Sequence, residues 1–164
     1  KDKHKSEGIF FTIQDEKALV NKFRENLELY FDSITRGEEF KKSSSKKEIL
    51  WVDDRPENNV YERNILEKYG LTFSLALSTQ QALHYMKHNK FALIISDMGR
   101  KEGIREGYVL LEEIRKMDKK IPFIIYAGSK KKEHVDEALR RGAQGCTNNP
   151  GELIDLVLKN LLKN

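Results

Sequence analysis

Residues 49–58 read ILWVDDRPEN. A fully apolar run enters two adjacent aspartates, Asp53 and Asp54, and the Arg55-Pro56 pair that follows stops any strand from continuing. Neighbouring carboxylates repel each other. At the end of a buried strand they are partly desolvated as well, which disfavours the charged form of both. The arrangement costs stability unless a cation sits there, so the reading of this stretch depends on what the rest of the chain brings to it.

Downstream, apolar strands alternate with amphipathic helices. ILWV (49–52) reads as a strand and PENNVYERNILEKYG (56–70) as a helix closed by Gly70. TFSLAL (72–77) is a second strand. STQQALHYMKHN (78–89) is a helix whose start carries Ser78 and Gln81 at capping-box spacing. FALIISD (91–97) is almost wholly apolar, as expected of a strand covered on both faces. The loop MGRKEGIREG (98–107) leads to the helix YVLLEEIRKM (108–117), and PFIIYAG (122–128) is another buried strand. The helix SKKKEHVDEALRRG (129–142), the short strand GCT (145–147) and a last helix opening at Pro150 complete the series. Asn149, Pro150 and Glu152 stand at cap, N1 and N3 of that helix. Five βα units in this span predict a doubly wound α/β fold, a parallel sheet with helices on both faces.

In such sheets ligands bind beyond the carboxyl ends of the strands, where the strand order reverses. Asp53 and Asp54 end the first strand of the series and Asp97 the third. With a 2-1-3-4-5 order these strands are neighbours, and three carboxylates converge. Mg²⁺, which takes one or two carboxylates and keeps several waters, answers the repulsion. The alternative, that each aspartate merely caps a turn, suits a single Asp better than three at these two strand ends.

Composition bounds the rest. Of the 164 residues 38% are hydrophobic and 34% charged, so a heavily solvated surface encloses one core. Thirty basic and 26 acidic residues leave a net charge of +4 with the signs mixed, which argues against a nucleic-acid binder. The single cysteine, Cys146, excludes an internal disulfide and fits a reducing, cytoplasmic setting. No apolar run has the length of a membrane span. FKKSSSKK (40–47) reads as a polar linker. It separates an N-terminal strand-helix extension, residues 1–39, from residues 48–164. In the extension GIFFTI (8–13) suggests a strand, and Leu19, Phe23, Leu27, Tyr30 and Ile34 recur along a helix capped by Asp15. This segment is expected to be an arm, or the tail of a preceding domain, that packs on a partner or self-associates through residues 8–34.

Residues 48–162 resemble the response-regulator receiver domains of two-component signalling. The resemblance is carried by VDD at 52–54, Asp97 after ALIIS, Pro122, RRGAQG at 140–145, and a polar residue before Pro150. It covers about 70% of the chain, and it implies a flavodoxin-like five-stranded sheet in the order 2-1-3-4-5. It also implies Asp97 as the phosphoacceptor, with Asp53, Asp54, Asp97 and the Gly99 carbonyl around Mg²⁺ and a histidine kinase upstream. The chain departs from the family in the switch. Ala127 stands where a Thr or Ser would bind the phosphoryl group, Cys146 where an aromatic is usual, and Asn149 where a lysine is usual. Each charge-assisted hydrogen bond contributes about 1.5–3 kcal/mol, whereas allosteric coupling is typically about 1–3 kcal/mol. Losing two such bonds is therefore expected to disable the usual response, unless Ser129 lends a hydroxyl.

These residues lead to the expectation of a receiver-like, divergent signalling module, not an enzyme, acting through protein–protein contacts. The alternative is a Mg²⁺-dependent phosphotransferase or phosphatase with Asp97 as nucleophile. Three further features have plainer readings. His84 and His88 stand i, i+4 on a helix without an evident third zinc ligand. Lys130, Lys131 and Lys132 suit a solvated helix start, and Cys146 a small buried residue.

Overall fold

A computed structural model describes residues 20, 21, 35, 36, 38, 46–128 and 131–162. The chain divides into two units, Lys1–Thr35 and Arg36–Asn164. The apolar stripe expected from Leu19 to Ile34, the strand at 8–13, the Asp15 cap, most of the linker and Ser129 all lie outside the described residues.

The second unit is an α/β sandwich. Its elements run β1 (Lys47–Val52), α1 (Val60–Glu67), β2 (Leu71–Ala76), α2 (Thr79–His88), β3 (Leu93–Ser96), α3 (Glu106–Met117), β4 (Phe123–Tyr126), α4 (Lys132–Arg140), β5 (Gly145–Thr147) and α5 (Pro150–Leu162). The strands form one parallel sheet in the order β2-β1-β3-β4-β5. This is the doubly wound sheet expected from the alternation, in the flavodoxin-like order that the family resemblance implies.

The apolar runs of β1, β3 and β4 are explained by burial from both sides. Leu50, Val52, Ile94, Phe123 and Ile125 meet residues of α2, α3 and α4, including Ala82, Leu110, Leu111, Ile114 and Ala138. Ile49, Trp51, Leu93, Ile95 and Ile124 meet Leu66 of α1 and Leu153, Val157, Leu158 and Leu161 of α5. Each such side chain contributes about 1.5–3 kcal/mol on leaving water, which outweighs the high polarity of the rest of the chain.

Local chemistry sets the boundaries. The first helix is shorter than the expected 56–70. Pro56–Asn59 forms a 3₁₀ turn, α1 begins only at Val60, and the chain leaves it through Gly70 at φ +84°. At α2, Ser78 Oγ accepts the Gln81 N–H at 3.1 Å and Gln81 Oε1 accepts the Leu77 N–H at 2.7 Å. The expected capping box is therefore present, its reciprocal bond falling one residue earlier. At α5, Asn149 Oδ1 accepts the Glu152 N–H at 3.0 Å, as expected of a cap. The helix expected at 108–117 starts two residues earlier, at Glu106, because Gly107 is part of it.

The register positions the site. Val52 pairs with Ser96 across β1 and β3, and the Asp97 N–H bonds the Val52 carbonyl at 2.9 Å. Asp53 and Asp97 therefore leave the sheet side by side at its carboxyl end.

Candidate functional site

Asp53, Asp54 and Asp97 each present a carboxylate oxygen within 4.8 Å of the others. Among the described residues they are the only group of three or more His, Cys, Asp or Glu side chains so placed. His84 and His88 lie side by side on an exposed helix face, ring centroids 4.7 Å apart and planes tilted by 53°, but among the described residues no third ligand joins them.

Each aspartate is held by short-range bonds. Asp53, buried, accepts the Arg55 N–H at 2.7 Å on one oxygen and the Asn59 side-chain amide at 2.6 Å on the other. The 3₁₀ turn that follows Arg55-Pro56 is what delivers Asn59. Asp54 Oδ2 accepts the Lys101 N–H at 2.9 Å. Asp97 Oδ1 accepts the Met98 N–H at 2.7 Å. Among the described residues the remaining oxygens of Asp54 and Asp97 accept no hydrogen bond, and an oxygen of Asp53 keeps a lone pair. None of the three makes an ion pair among the described residues.

Burial pushes the Asp97 carboxyl above its ordinary range, and the charges of Asp53 and Asp54 push the same way. The Met98 N–H and Arg100 oppose them. An all-oxygen donor set with this electrostatic deficit fits a small hard cation such as Mg²⁺.

The site opens into two recesses. The first, about 380 Å³, is lined by the three aspartates with Arg55, Asn58, Gly99, Arg100 and Lys101. Gly99, expected from the family resemblance to offer its carbonyl, is therefore beside the carboxylates. The second, about 600 Å³, adjoins Asp97 and Gly99 and runs past Tyr108 to Ala127 and Cys146. Ala127 and Cys146 line this second recess together with Asp97, contributing a methyl group and a buried thiol. Burial raises the Cys146 thiol, which keeps it protonated. Asn149 lines neither recess; its side chain caps α5.

Three residues of the site were not singled out from the sequence. Arg100 has a fully buried guanidinium, although it lies in the charged loop MGRKEGIREG. Loop 98–105 buries it by closing on itself, with paired Arg100–Gly103 backbone bonds of 2.9 Å. Tyr108 is held between the Arg105 and Arg141 guanidiniums, 5.3 and 4.7 Å from its ring. Asn59 orients Asp53, and its only signal was the turn-forming sequence around it.

The fold and site agree with what the chain is similar to. The family model of the response regulator receiver domain matches residues 49–159. The transcriptional regulatory protein ZraR of Escherichia coli (strain K12) is 31% identical over 96 residues, 58% of this chain. The chain spans only 21% of the length of that regulator. Among solved structures, the CheY-like response regulator receiver domain protein of Methanospirillum hungatei JF-1 is 26% identical with a TM-score of 0.63. That alignment covers 73% of this chain and 96% of that one. The receiver domain of the Francisella response regulator 1452 shares the fold at a TM-score of 0.64 and 23% identity, over 72% of this chain and 98% of that one. With the family model covering most of the chain, and with the sheet order and the carboxylate cluster in agreement, this protein belongs to the response-regulator receiver family of two-component signalling.

Proposed function

We propose that this chain is a receiver module in which Asp97 accepts a phosphoryl group and the β4–β5 side responds weakly to it. The observation that carries the reading is the convergence of Asp53, Asp54 and Asp97 within 4.8 Å. Asp53, Asp54, Asp97 and the Gly99 carbonyl would hold Mg²⁺, which supplies charge neutralisation at the phosphoryl oxygens when bound. An Asp97 carboxylate oxygen attacks the phosphorus of a donor such as phosphohistidine. The bond from phosphorus to the donor breaks, its electron pair leaves with the donor, and an acyl phosphate remains on Asp97. Met98 N–H fixes the orientation of the nucleophile through its 2.7 Å bond, and Asn59 and Arg55 fix Asp53.

Ala127 offers no hydroxyl to the phosphoryl group, Cys146 is a buried thiol in place of a mobile aromatic, and Asn149 is engaged as a helix cap. These three support a degenerate switch, and an output through protein–protein contact rather than through the usual β4–β5 rearrangement. The partners of such a module are a histidine kinase and a downstream or parent domain. Receiver domains are generally signalling modules without an enzyme activity of their own, and the phosphotransferase or phosphatase reading has no specific observation in its favour.

Thermal melting with and without Mg²⁺ tests the site. Mg²⁺ raises the melting temperature of the unmodified chain, and Asp54→Ala abolishes the rise. A melting temperature indifferent to Mg²⁺ contradicts the reading.

A further inference from the structure

Arg100 lies three residues beyond Asp97, and its side chain is wholly buried. One terminal nitrogen donates to Ser96 Oγ at 2.8 Å and to the Asp97 carbonyl at 2.9 Å. The other donates to Thr79 Oγ1 at 2.6 Å and to the Glu106 carbonyl at 3.1 Å. The Thr79 hydroxyl in turn donates to the Glu106 carboxylate at 2.8 Å. The Glu102 carboxylate, 3.4 Å from Arg100 Nε, accepts the Thr79 N–H at 3.1 Å. A single guanidinium thus ties the end of β3 to the N-termini of α2 and α3.

Its ion pairs are loose, at 3.4 Å to Glu102 and 3.9 Å to Glu106. A buried cation so weakly paired depends on the field around it, and Asp97 is part of that field. On the opposite side of Asp97 the cleft toward β4 and β5 meets Ala127 and Cys146. The hydroxyl of Tyr108 there is turned to the His134 carbonyl at 3.3 Å.

We propose that Arg100 is the positioning residue through which a phosphoryl group on Asp97 acts on α2 and α3, so that the output face of this receiver lies around Leu77, Thr79, Glu102 and Glu106. The inference rests on the reading of Asp97 as phosphoacceptor. An acyl phosphate replaces one negative charge by about two. Arg100 is drawn toward it, and a rigid planar fork cannot follow without loosening its hold on Thr79 and on the Glu106 carbonyl. The freed groups adjoin Leu77, which is half exposed and supplies apolar contact for a protein partner.

Amide NMR spectra of the full 164-residue chain test this, with Mg²⁺ and beryllofluoride as the phosphoryl mimic. Shifts at Asp54 and Met98 report occupation of the site. In the unmodified chain they are accompanied by shifts at Thr79, Gln81, Glu102 and Gly107 that exceed those over Ala127 and Gly145 to Thr147. Thr79→Val, remote from the aspartates, keeps the Asp54 and Met98 shifts while the α2 shifts fall by half or more. Thr79→Ser keeps the hydroxyl and the full response. Arg100→Lys, whose single ammonium cannot hold Ser96 and Thr79 together, lowers the α2 shifts relative to those at Met98, whatever it does to occupation of the recess it lines. A site response without movement of α2, or an undiminished α2 response in Thr79→Val and Arg100→Lys, overturns the relay alone. Silence at Asp54 and Met98 overturns the phosphoacceptor reading and the relay with it.

Discussion

Replacing Asp97 by Asn should stabilise the metal-free protein. At 4.8 Å, the outer limit of the carboxylate separations, two unit charges repel by about 3.5 kcal/mol at an effective dielectric of about 20, and by about 0.9 kcal/mol at about 80. Asp97 faces two such charges, from Asp53 and Asp54. The site is open to water and Arg100 offsets part of the repulsion, so the lower half of that range applies. Removing the Asp97 charge is then worth about 1–3 kcal/mol, or about 4–10 °C in melting temperature for a domain of this size. Asn keeps an oxygen to accept the Met98 N–H, so the local geometry survives. With Mg²⁺ at about a hundredfold above its dissociation constant, the unmodified chain gains about 2.7 kcal/mol through binding, and the advantage of Asp97→Asn disappears or reverses. The assay is a pair of thermal melts, one in chelator and one in Mg²⁺. An Asp97→Asn chain that melts at or below the unmodified chain in chelator refutes the electrostatic argument.

Four further outcomes follow from particular contacts. A Cβ on Gly107 would lie 2.9 Å from the Asp97 carbonyl oxygen and 3.0 Å from the Met98 Cα, both backbone atoms that cannot yield, so Gly107→Ala should cost about 1–3 kcal/mol in denaturant unfolding. Tyr126 OH donates to Oε1 of the buried Glu62 carboxylate at 2.8 Å, and Glu62 Oε2 has no partner among the described residues, so Tyr126→Phe should cost about 1–3 kcal/mol while Tyr126→Phe with Glu62→Leu recovers much of it. Asp118 accepts the Lys120 and Ile121 N–H groups at 2.7 and 2.9 Å, which hold its carboxyl below the usual range. Its contribution is therefore present above the ordinary carboxylate pKa and lost as pH falls through the depressed one, so Asp118→Ala should destabilise at neutral pH, with the difference vanishing in acid. Light scattering should show self-association of residues 1–164 that a 46–164 truncation loses; two monomers of equal stability would remove the N-terminal arm as an interaction element.

Much of this molecule was legible because its strongest signals are periodic. β1, β3 and β4 are short and apolar on both faces, a pattern that only a sheet covered on two sides satisfies, and the intervening helices carry their own caps at Ser78 and Asn149. Once the strands were placed, the carboxylates at the ends of β1 and β3 implied their own convergence. The 3₁₀ turn at Pro56–Asn59 was not legible, because Pro56 reads equally well as the first residue of an α-helix. Nor was Arg100. The burial of a guanidinium is decided by loop closure and by Thr79, Ser96 and Glu106, which come from three separate elements, and no local pattern encodes that meeting. The positive charge that the adjacent aspartates call for is thus supplied in part by Arg100, on the backbone side of Asp97.

The most direct test of the phosphoacceptor account is the intact mass of the protein after incubation with acetyl phosphate. The account predicts one added phosphoryl group on a fraction of the unmodified chain, only when Mg²⁺ is present, and none on Asp97→Asn. The fraction should rise in Ala127→Thr combined with Asn149→Lys. An adduct that persists in Asp97→Asn, or the absence of a phosphoryl group on both the unmodified and the doubly substituted chain, would contradict it.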